Sequence, residues 1–111
     1  AIAGTMTGMC EAMAFAKSCG LDLETLLGAI GGGAASSWSL TNYSPRILKG
    51  DFKPGFFIKH YIKDMRLAEE AAGELKMDLP ALALTLKLYE KLAENGMENE
   101  GTQALYHYYE K

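Results

Sequence analysis

Hydrophobic residues recur along the chain with the three- and four-residue spacing of amphipathic helices. The apolar positions of the first predicted helix are Ile2, Met6, Met9, Met13 and Ala16, a spacing that indicates one buried face. Gly20 is predicted to end this helix. Gly4, Gly8 and Ala12 form a second row on it. Because glycine inside a helix costs about 1 kcal/mol relative to alanine, this row predicts the close approach of another helix.

Capping residues mark the next two helices. Asp22 is predicted to cap a short helix that ends in the glycine run 31–33, and Ser36 or Ser37 to cap the helix after it. Pro45 is expected to break that second helix or to start a new turn. A glycine run can bind phosphate where it connects a strand to a helix. Since no strand precedes residues 31–33, a tightly packed turn is the favoured interpretation.

The second half of the chain carries the clearest helical pattern. The predicted buried face of helix 58–75 consists of Ile58, Tyr61, Ile62, Met65, Ala68, Ala72 and Leu75. Asp78 is predicted to cap the next helix, with Pro80 in its first turn, and two apolar rows predict that this helix is mostly buried. The segment 102–111 predicts a short final helix. We find no convincing strand, so we predict one all-α domain over residues 1–111, a bundle of about six helices.

Composition narrows the class of protein. The 111 residues are 49% hydrophobic and 23% charged, with a formal net charge of -3, which fits a folded domain and argues against nucleic acid as the main partner. No apolar run approaches the roughly 20 residues of a membrane span, and the first residues make a poor signal peptide. Cys10 and Cys19 would be roughly 13 Å apart along one helix, too far for a disulfide. We therefore expect reduced cysteines and a cytoplasmic protein.

No complete active site can be derived from the residues alone. His60 and His107 are the only histidines, and no set of Cys, His and Asp has metal-ligand spacing, so no metal site is predicted. His60 and Asp64 are one helical turn apart, which favours an ordinary side-chain hydrogen bond. The serines near residue 40 have no obvious base.

Phe56, Lys63 and Asp64 form the one group with a possible binding role. They fall at the entrance and in the second turn of helix 58–75, where helical geometry predicts that Asp64 is half-buried and therefore needs a partner. An aromatic face, an ammonium and a carboxylate within two turns could receive a polar planar ligand. Solvated surface charges are the alternative interpretation.

Four ordered blocks of the chain resemble a known family. These are "GTMTGMCEAMAFAKSCGLD", "GGAASSWSLTNYSPRILKGDFKPGF", "KDMRLAEEAAGE" and "LPALALTLKLYEKLAENG". Together they resemble the all-helical C-terminal domain of the 3-hydroxyisobutyrate dehydrogenase family of β-hydroxyacid dehydrogenases, whose fold is like the C-terminal domain of 6-phosphogluconate dehydrogenase. Two positions depart from the usual family pattern: this chain has Met65 where the family usually has leucine, and Gly101 where it often has aspartate.

The resemblance implies roles for individual residues. Family members bind NAD or NADP in an N-terminal Rossmann domain, which is expected outside this chain, and hold substrate in the cleft between the two domains. The catalytic lysine of the family would fall just upstream of Ala1. The resemblance implies that Phe56 packs near the nicotinamide and that Lys63 donates to a ribose or phosphate of the cofactor. It also implies that Asp64 hydrogen-bonds to the catalytic lysine or to the cofactor. Trp38 resembles a position near the substrate pocket.

The implied function is that of an NAD(P)-dependent oxidoreductase. Such an enzyme interconverts a small 3-hydroxy acid, or 2-hydroxy acid, and its semialdehyde, with the lysine as proton donor. The isolated domain is expected to be inactive and to form a homodimer or higher oligomer. The alternative is a stand-alone helical module that binds a partner protein through its Gly4/Gly8 face or its tyrosine-rich end.

Overall fold

The computed structural model describes residues 1–110, and these fold into α-helices joined by short turns. The helices are α1 Ile2–Ser18, α2 Leu23–Ile30, α3 Trp38–Leu48, α4 Ile58–Glu74, α5 Pro80–Glu94 and α6 Tyr106–Tyr109, with a 3-10 turn at Thr102–Leu105 just before α6. The prediction of an all-α bundle of about six helices is confirmed. The predicted final helix 102–111 is divided into the 3-10 turn and the single turn of α6, and Lys111 lies outside the described residues.

Helix α1 forms the centre of the bundle. It packs against α3, α5 and α6, and Met6, Cys10 and Met13 on its inner face are fully buried. The predicted apolar face is confirmed except at Ile2, which is 58% exposed at the start of the helix. Gly20 has a φ of +78° directly after α1, a conformation in which glycine is favoured, and it ends the helix as predicted.

The predicted caps of α2 and α3 are confirmed. Asp22 accepts a hydrogen bond from the backbone N–H of Thr25 at 2.9 Å, and Ser37 accepts one from that of Leu40 at 3.0 Å. Each bond satisfies an N–H group that the first turn of a helix leaves without a partner. Pro45 lies inside α3 and does not break it. The helix tolerates it because flanking hydrogen bonds and packing keep the backbone helical despite the missing N–H.

Three predictions for α4 and α5 are wrong. Asp78 is not the cap of α5, because the helix begins at Pro80, Leu79 occupies the cap position, and no side chain bonds there. Helix α5 is not mostly buried, since Leu84 is 56% exposed. The predicted buried face of α4 ends early, because Ala68 is exposed and Leu75 is 71% exposed. The two errors of burial share a cause: α4 packs mainly on α5, so the end of this helix pair that carries Leu75 and Leu84 has few neighbours.

The glycine row of α1 is uncovered. A Cβ atom added at Gly4 or at Gly8 would meet no atom within 4 Å. The predicted close approach of another helix is therefore wrong for the described residues, because α3, α5 and α6 pack on other faces of α1. No helix within residues 1–110 has the length and apolar character that crossing a membrane requires.

The segment before α4 is held by backbone pairing with the segment before the 3-10 turn. Phe57 and Gly101 form an isolated antiparallel bridge. The N–H of Thr102 donates to the carbonyl of Phe56, and that of Ile58 donates to the carbonyl of Glu100, both at 3.0 Å. This pairing fixes the backbone that carries Phe56.

Candidate functional site

Three of the four residues nominated from the sequence line one open cavity. The cavity has a volume of about 320 Å³, and Trp38, Phe56 and Asp64 form part of its wall. They come from the start of α3, the segment before α4 and the second turn of α4. The remaining lining residues are Ile2, Ser39, Tyr43, Tyr61 and Thr102. The fold thus brings together side chains that lie far apart along the chain.

Four of the eight residues that line this cavity are aromatic. Tyr43 stands edge-on to Trp38 with ring centroids 5.4 Å apart, and Tyr61 stands edge-on to Phe56 at 5.9 Å. Trp38 is 68% exposed and Phe56 is 39% exposed. Edge-to-face pairs of this kind are favourable aromatic contacts. They restrain two large apolar side chains that would otherwise be free to move at the surface.

Asp64 lies at the cavity but is exposed, so the prediction that it is half-buried is wrong. Among residues 1–110, its carboxylate takes part in no ion pair. The predicted bond between His60 and Asp64 is also absent, and the His60 ring packs edge-on against Phe57 at 5.4 Å instead. Because Asp64 is exposed to solvent, its carboxylate needs no partner among the described residues.

Lys63 is exposed and is not part of the cavity wall. Consecutive residues of an α-helix point about 100° apart, and of these two side chains only that of Asp64 lines the cavity. The structure therefore brings together Phe56 and Asp64 but leaves Lys63 beside the cavity on the outer surface of α4.

Tyr61 is the main site residue that the sequence did not nominate. Burial, with a smaller contribution from the negative charge of Asp64, raises the pKa of Tyr61 to about 12. The phenol is therefore protonated at neutral pH and is able to donate a hydrogen bond. Its spacing from Asp64, three residues along one helix, could have shown that the two share a side. The hydrophobic periodicity alone places Tyr61 on the buried face of α4.

Small hydroxyl groups and the start of α1 complete the wall. Thr102 and Ser39 are both buried, and the Ser39 hydroxyl is 3.0 Å from that of Thr5. Ile2 lines the cavity, which places the N-terminal end of α1 at its edge. Among residues 1–110, Asp64 is the only charged side chain in the lining. This combination of aromatic faces, one carboxylate and neutral hydroxyls fits a planar ring that carries hydrogen-bond donors and no negative charge.

A larger cavity elsewhere on the surface contains none of the nominated residues. It has a volume of about 440 Å³ and lies between α1 and α6, where Glu11, Phe15 and Tyr109 form part of its wall. The Tyr109 hydroxyl donates to Glu11 across it at 3.3 Å. Two of its polar groups thus already bond to each other, and it contains no nominated residue, so the smaller aromatic cavity is the better candidate site.

Comparison with known proteins defines the family. The sequence profile of the family described as "NAD-binding of NADP-dependent 3-hydroxyisobutyrate dehydrogenase" matches residues 1–109. An uncharacterized oxidoreductase of Bacillus subtilis, YkwC, is 52% identical over 96% of this chain and 37% of its own length. The 2-hydroxy-3-oxopropionate reductase of Escherichia coli is 36% identical over 86% of this chain and 32% of its own length.

Solved structures agree with the sequence matches. The 3-hydroxyisobutyrate dehydrogenase of Mycobacterium tuberculosis, crystallised with L-serine, superposes with a TM-score of 0.87 at 25% identity, over 96% of this chain and 38% of that one. The fold is that of the helical domain found in solved 3-hydroxyisobutyrate dehydrogenases. The chain belongs to the NAD-binding domain family of 3-hydroxyisobutyrate dehydrogenase. It spans about a third of the length of the curated relatives it matches.

Proposed function

We propose that this chain forms one wall of the cofactor and substrate cleft of an NAD(P)-dependent dehydrogenase that acts on a small hydroxy acid. One observation carries the proposal: Trp38, Phe56 and Asp64, from three separate segments, meet at a single open aromatic cavity. An ordinary helical bundle would bury such aromatic side chains in its core or scatter them.

The wall suits the nicotinamide end of the cofactor. The flat faces of Phe56 and Trp38 can cover a planar ring, and the Asp64 carboxylate can accept a hydrogen bond from a carboxamide or a ribose hydroxyl. The pyrophosphate fits less well, because the part of the chain that the structure describes contributes no cationic side chain to the lining. Lys63, beside the cavity, is assigned to a ribose or phosphate outside it. When bound, NAD(P) supplies or accepts the hydride exchanged with the hydroxyl-bearing carbon of the substrate.

The negative charge of Asp64 also limits how the substrate can lie in the cavity. A hydroxy acid carries a carboxylate, and Asp64 would repel that group at close range. We therefore assign the substrate's hydroxyl or aldehyde carbon to this wall, and its carboxylate to a cationic group outside the described residues. The resemblance implies a lysine upstream of Ala1 as proton donor, and Ile2 at the cavity edge is consistent with a lysine arriving from that side, within reach of Asp64.

A cytoplasmic homodimer or higher homo-oligomer is part of the proposal. Large apolar side chains are exposed away from the cavity, among them Phe15 at 73% and Leu75 at 71%. Exposed apolar patches on a folded domain are typical of surfaces that contact another subunit or domain. Light scattering of the full-length protein is expected to give at least a dimer mass, and a monomer at high concentration would contradict this part.

The experiment that tests the proposal uses the full-length protein. Asp64→Asn and Phe56→Ala are each expected to weaken NAD(P) binding, measured by titration, and to lower kcat/KM for a small hydroxy acid by about 10- to 100-fold. Glu70→Gln is the matched control, because Glu70 is an exposed carboxylate on the same helix and is not part of the cavity wall. Unchanged cofactor affinity and rate in both site variants would contradict the proposal.

A further inference from the structure

We propose that Gln103 is a positioning residue, which holds the segment that carries Phe56 in place beside Thr102 in the cavity wall. The inference rests on the proposed function of this cavity. Gln103 is completely buried in the 3-10 turn, one residue after Thr102. It touches no part of the cavity itself, so any effect on binding must act through its neighbours.

The Gln103 amide joins two segments of irregular backbone. Its Nε2 group donates to the carbonyl of Asp51 at 3.2 Å and to that of Lys53 at 2.9 Å. These carbonyls belong to the segment 51–57, which has no helix of its own and carries Phe56. One side chain therefore holds this segment against the 3-10 turn.

Backbone bonds extend the same connection to the cavity. The N–H of Gly101 donates to the carbonyl of Phe52 at 2.8 Å, and that of Thr102 donates to the carbonyl of Phe56 at 3.0 Å. The Thr102 carbonyl in turn accepts from the buried hydroxyl of Tyr89 at 2.8 Å. Thr102 is thus fixed to the core through Tyr89, and Phe56 is fixed to Thr102.

The polarity of Gln103 points to positioning more than to packing. Its Oε1 atom is buried and has no hydrogen-bond partner among the described residues. A buried acceptor without a partner lowers stability, and an apolar side chain of similar size would avoid that cost. An apolar residue could not donate the two hydrogen bonds to the carbonyls of Asp51 and Lys53, so these bonds are the reason for a polar side chain here.

The test replaces Gln103 by methionine in the full-length protein. Gln103→Met keeps the length of the side chain and removes both bonds. We expect KM and the dissociation constant for NAD(P) to rise about 10-fold, because small displacements of binding groups have large effects on productive geometry. Hydrogen exchange at the amides of Gly101 and Thr102 should accelerate at least about 10-fold, while amides of α1 keep their protection.

Leu105→Val is the matched control. Leu105 is equally buried in the same turn but makes no side-chain bond to the segment 51–57. This variant should lower the melting temperature yet leave KM and cofactor affinity within about twofold. If Gln103→Met leaves both constants unchanged, or if Leu105→Val raises them equally, the inference is overturned. Neither result affects the proposed function, which is tested independently by the cofactor affinity and rate of Asp64→Asn.

A second variant tests the same segment from outside. Arg46 donates to Asp51 at 3.0 Å and also to the Lys53 carbonyl, and it is not part of the cavity wall. Arg46→Met should raise KM in the same direction as Gln103→Met, by less because part of the restraint remains. If Gln103→Met does not fold, Arg46→Met tests the inference alone. A raised KM at unchanged melting temperature supports the inference, and an unchanged KM overturns it.

Discussion

Tyr61 and Asp64 lie one turn apart on α4 and share one edge of the aromatic cavity. Burial of the phenol, with the neighbouring carboxylate charge, raises the pKa of Tyr61 to about 12. At neutral pH this edge therefore presents one hydrogen-bond donor beside one acceptor. A carboxamide or a ribose hydroxyl, each of which donates and accepts, matches that pair.

The raised pKa of Tyr61 predicts a loss of stability at alkaline pH. The protonated phenol is favoured in the folded state, and the unfolded chain releases the proton near the ordinary value of 10.0. The contribution of Tyr61 is thus fully present below about pH 10 and is lost as the pH rises through about 12. Urea unfolding between pH 9 and pH 11.5 should give a steeper decline for the unmodified chain than for Tyr61→Phe.

Tyr108→Phe is the control for this measurement. Tyr108 is 40% exposed and lies outside the cavity wall, so this variant removes a phenol hydroxyl from another part of the surface. An identical decline in Tyr61→Phe and in the unmodified chain would show that the Tyr61 phenol does not contribute.

The two cysteines are predicted to differ sharply in reactivity. Both are free, as the sequence indicated, but Cys10 is buried and Cys19 is exposed. Burial, with a smaller effect from Glu11, raises the pKa of the Cys10 thiol to about 12. Because the thiolate is the reactive form, a disulfide reagent should modify Cys19 at once and Cys10 at least about a hundredfold more slowly. Denaturant should abolish the difference, and Cys19→Ser should remove the fast phase.

Gly101→Ala is predicted to destabilise the fold. An added Cβ would lie 2.8 Å from the Lys53 carbonyl oxygen and would also collide with the Gln103 side chain. Backbone cannot withdraw as a flexible side chain can, so we expect a loss of about 2 kcal/mol, within the usual range for overpacking. Chemical unfolding of Gly101→Ala measures it, and a loss below about 0.5 kcal/mol would contradict the close approach.

Periodicity and caps predicted the helices well because both are local properties. The methionines of α1 and the caps Asp22 and Ser37 depend on residues within one or two turns. The errors arose where the answer depends on which element covers a surface. Asp64 and Leu84 lie on helices whose patterns are correct, yet both are exposed, since nothing within residues 1–110 buries them.

The site was only partly predictable for the same reason. Phe56 and Asp64 were nominated by their proximity along the chain, and Trp38 by resemblance. Thr102 and Tyr43 reach the same cavity from distant segments, and no local pattern brings such residues together. Gln103 is the extreme case, because its importance depends on carbonyl groups about 50 residues earlier in the chain.

The uncovered glycines of α1 give the last prediction. Because an alanine methyl at Gly4 or Gly8 would meet no atom within 4 Å, Gly8→Ala should stabilise the isolated domain by about 0.5–1 kcal/mol through helix propensity. In the full-length protein the same change should be neutral or destabilising if another subunit or domain packs on this face. Parallel unfolding of both forms, with Gly73→Ala on α4 as a second open glycine for comparison, separates the two cases. Equal stabilisation in both forms would show that nothing covers the glycine row.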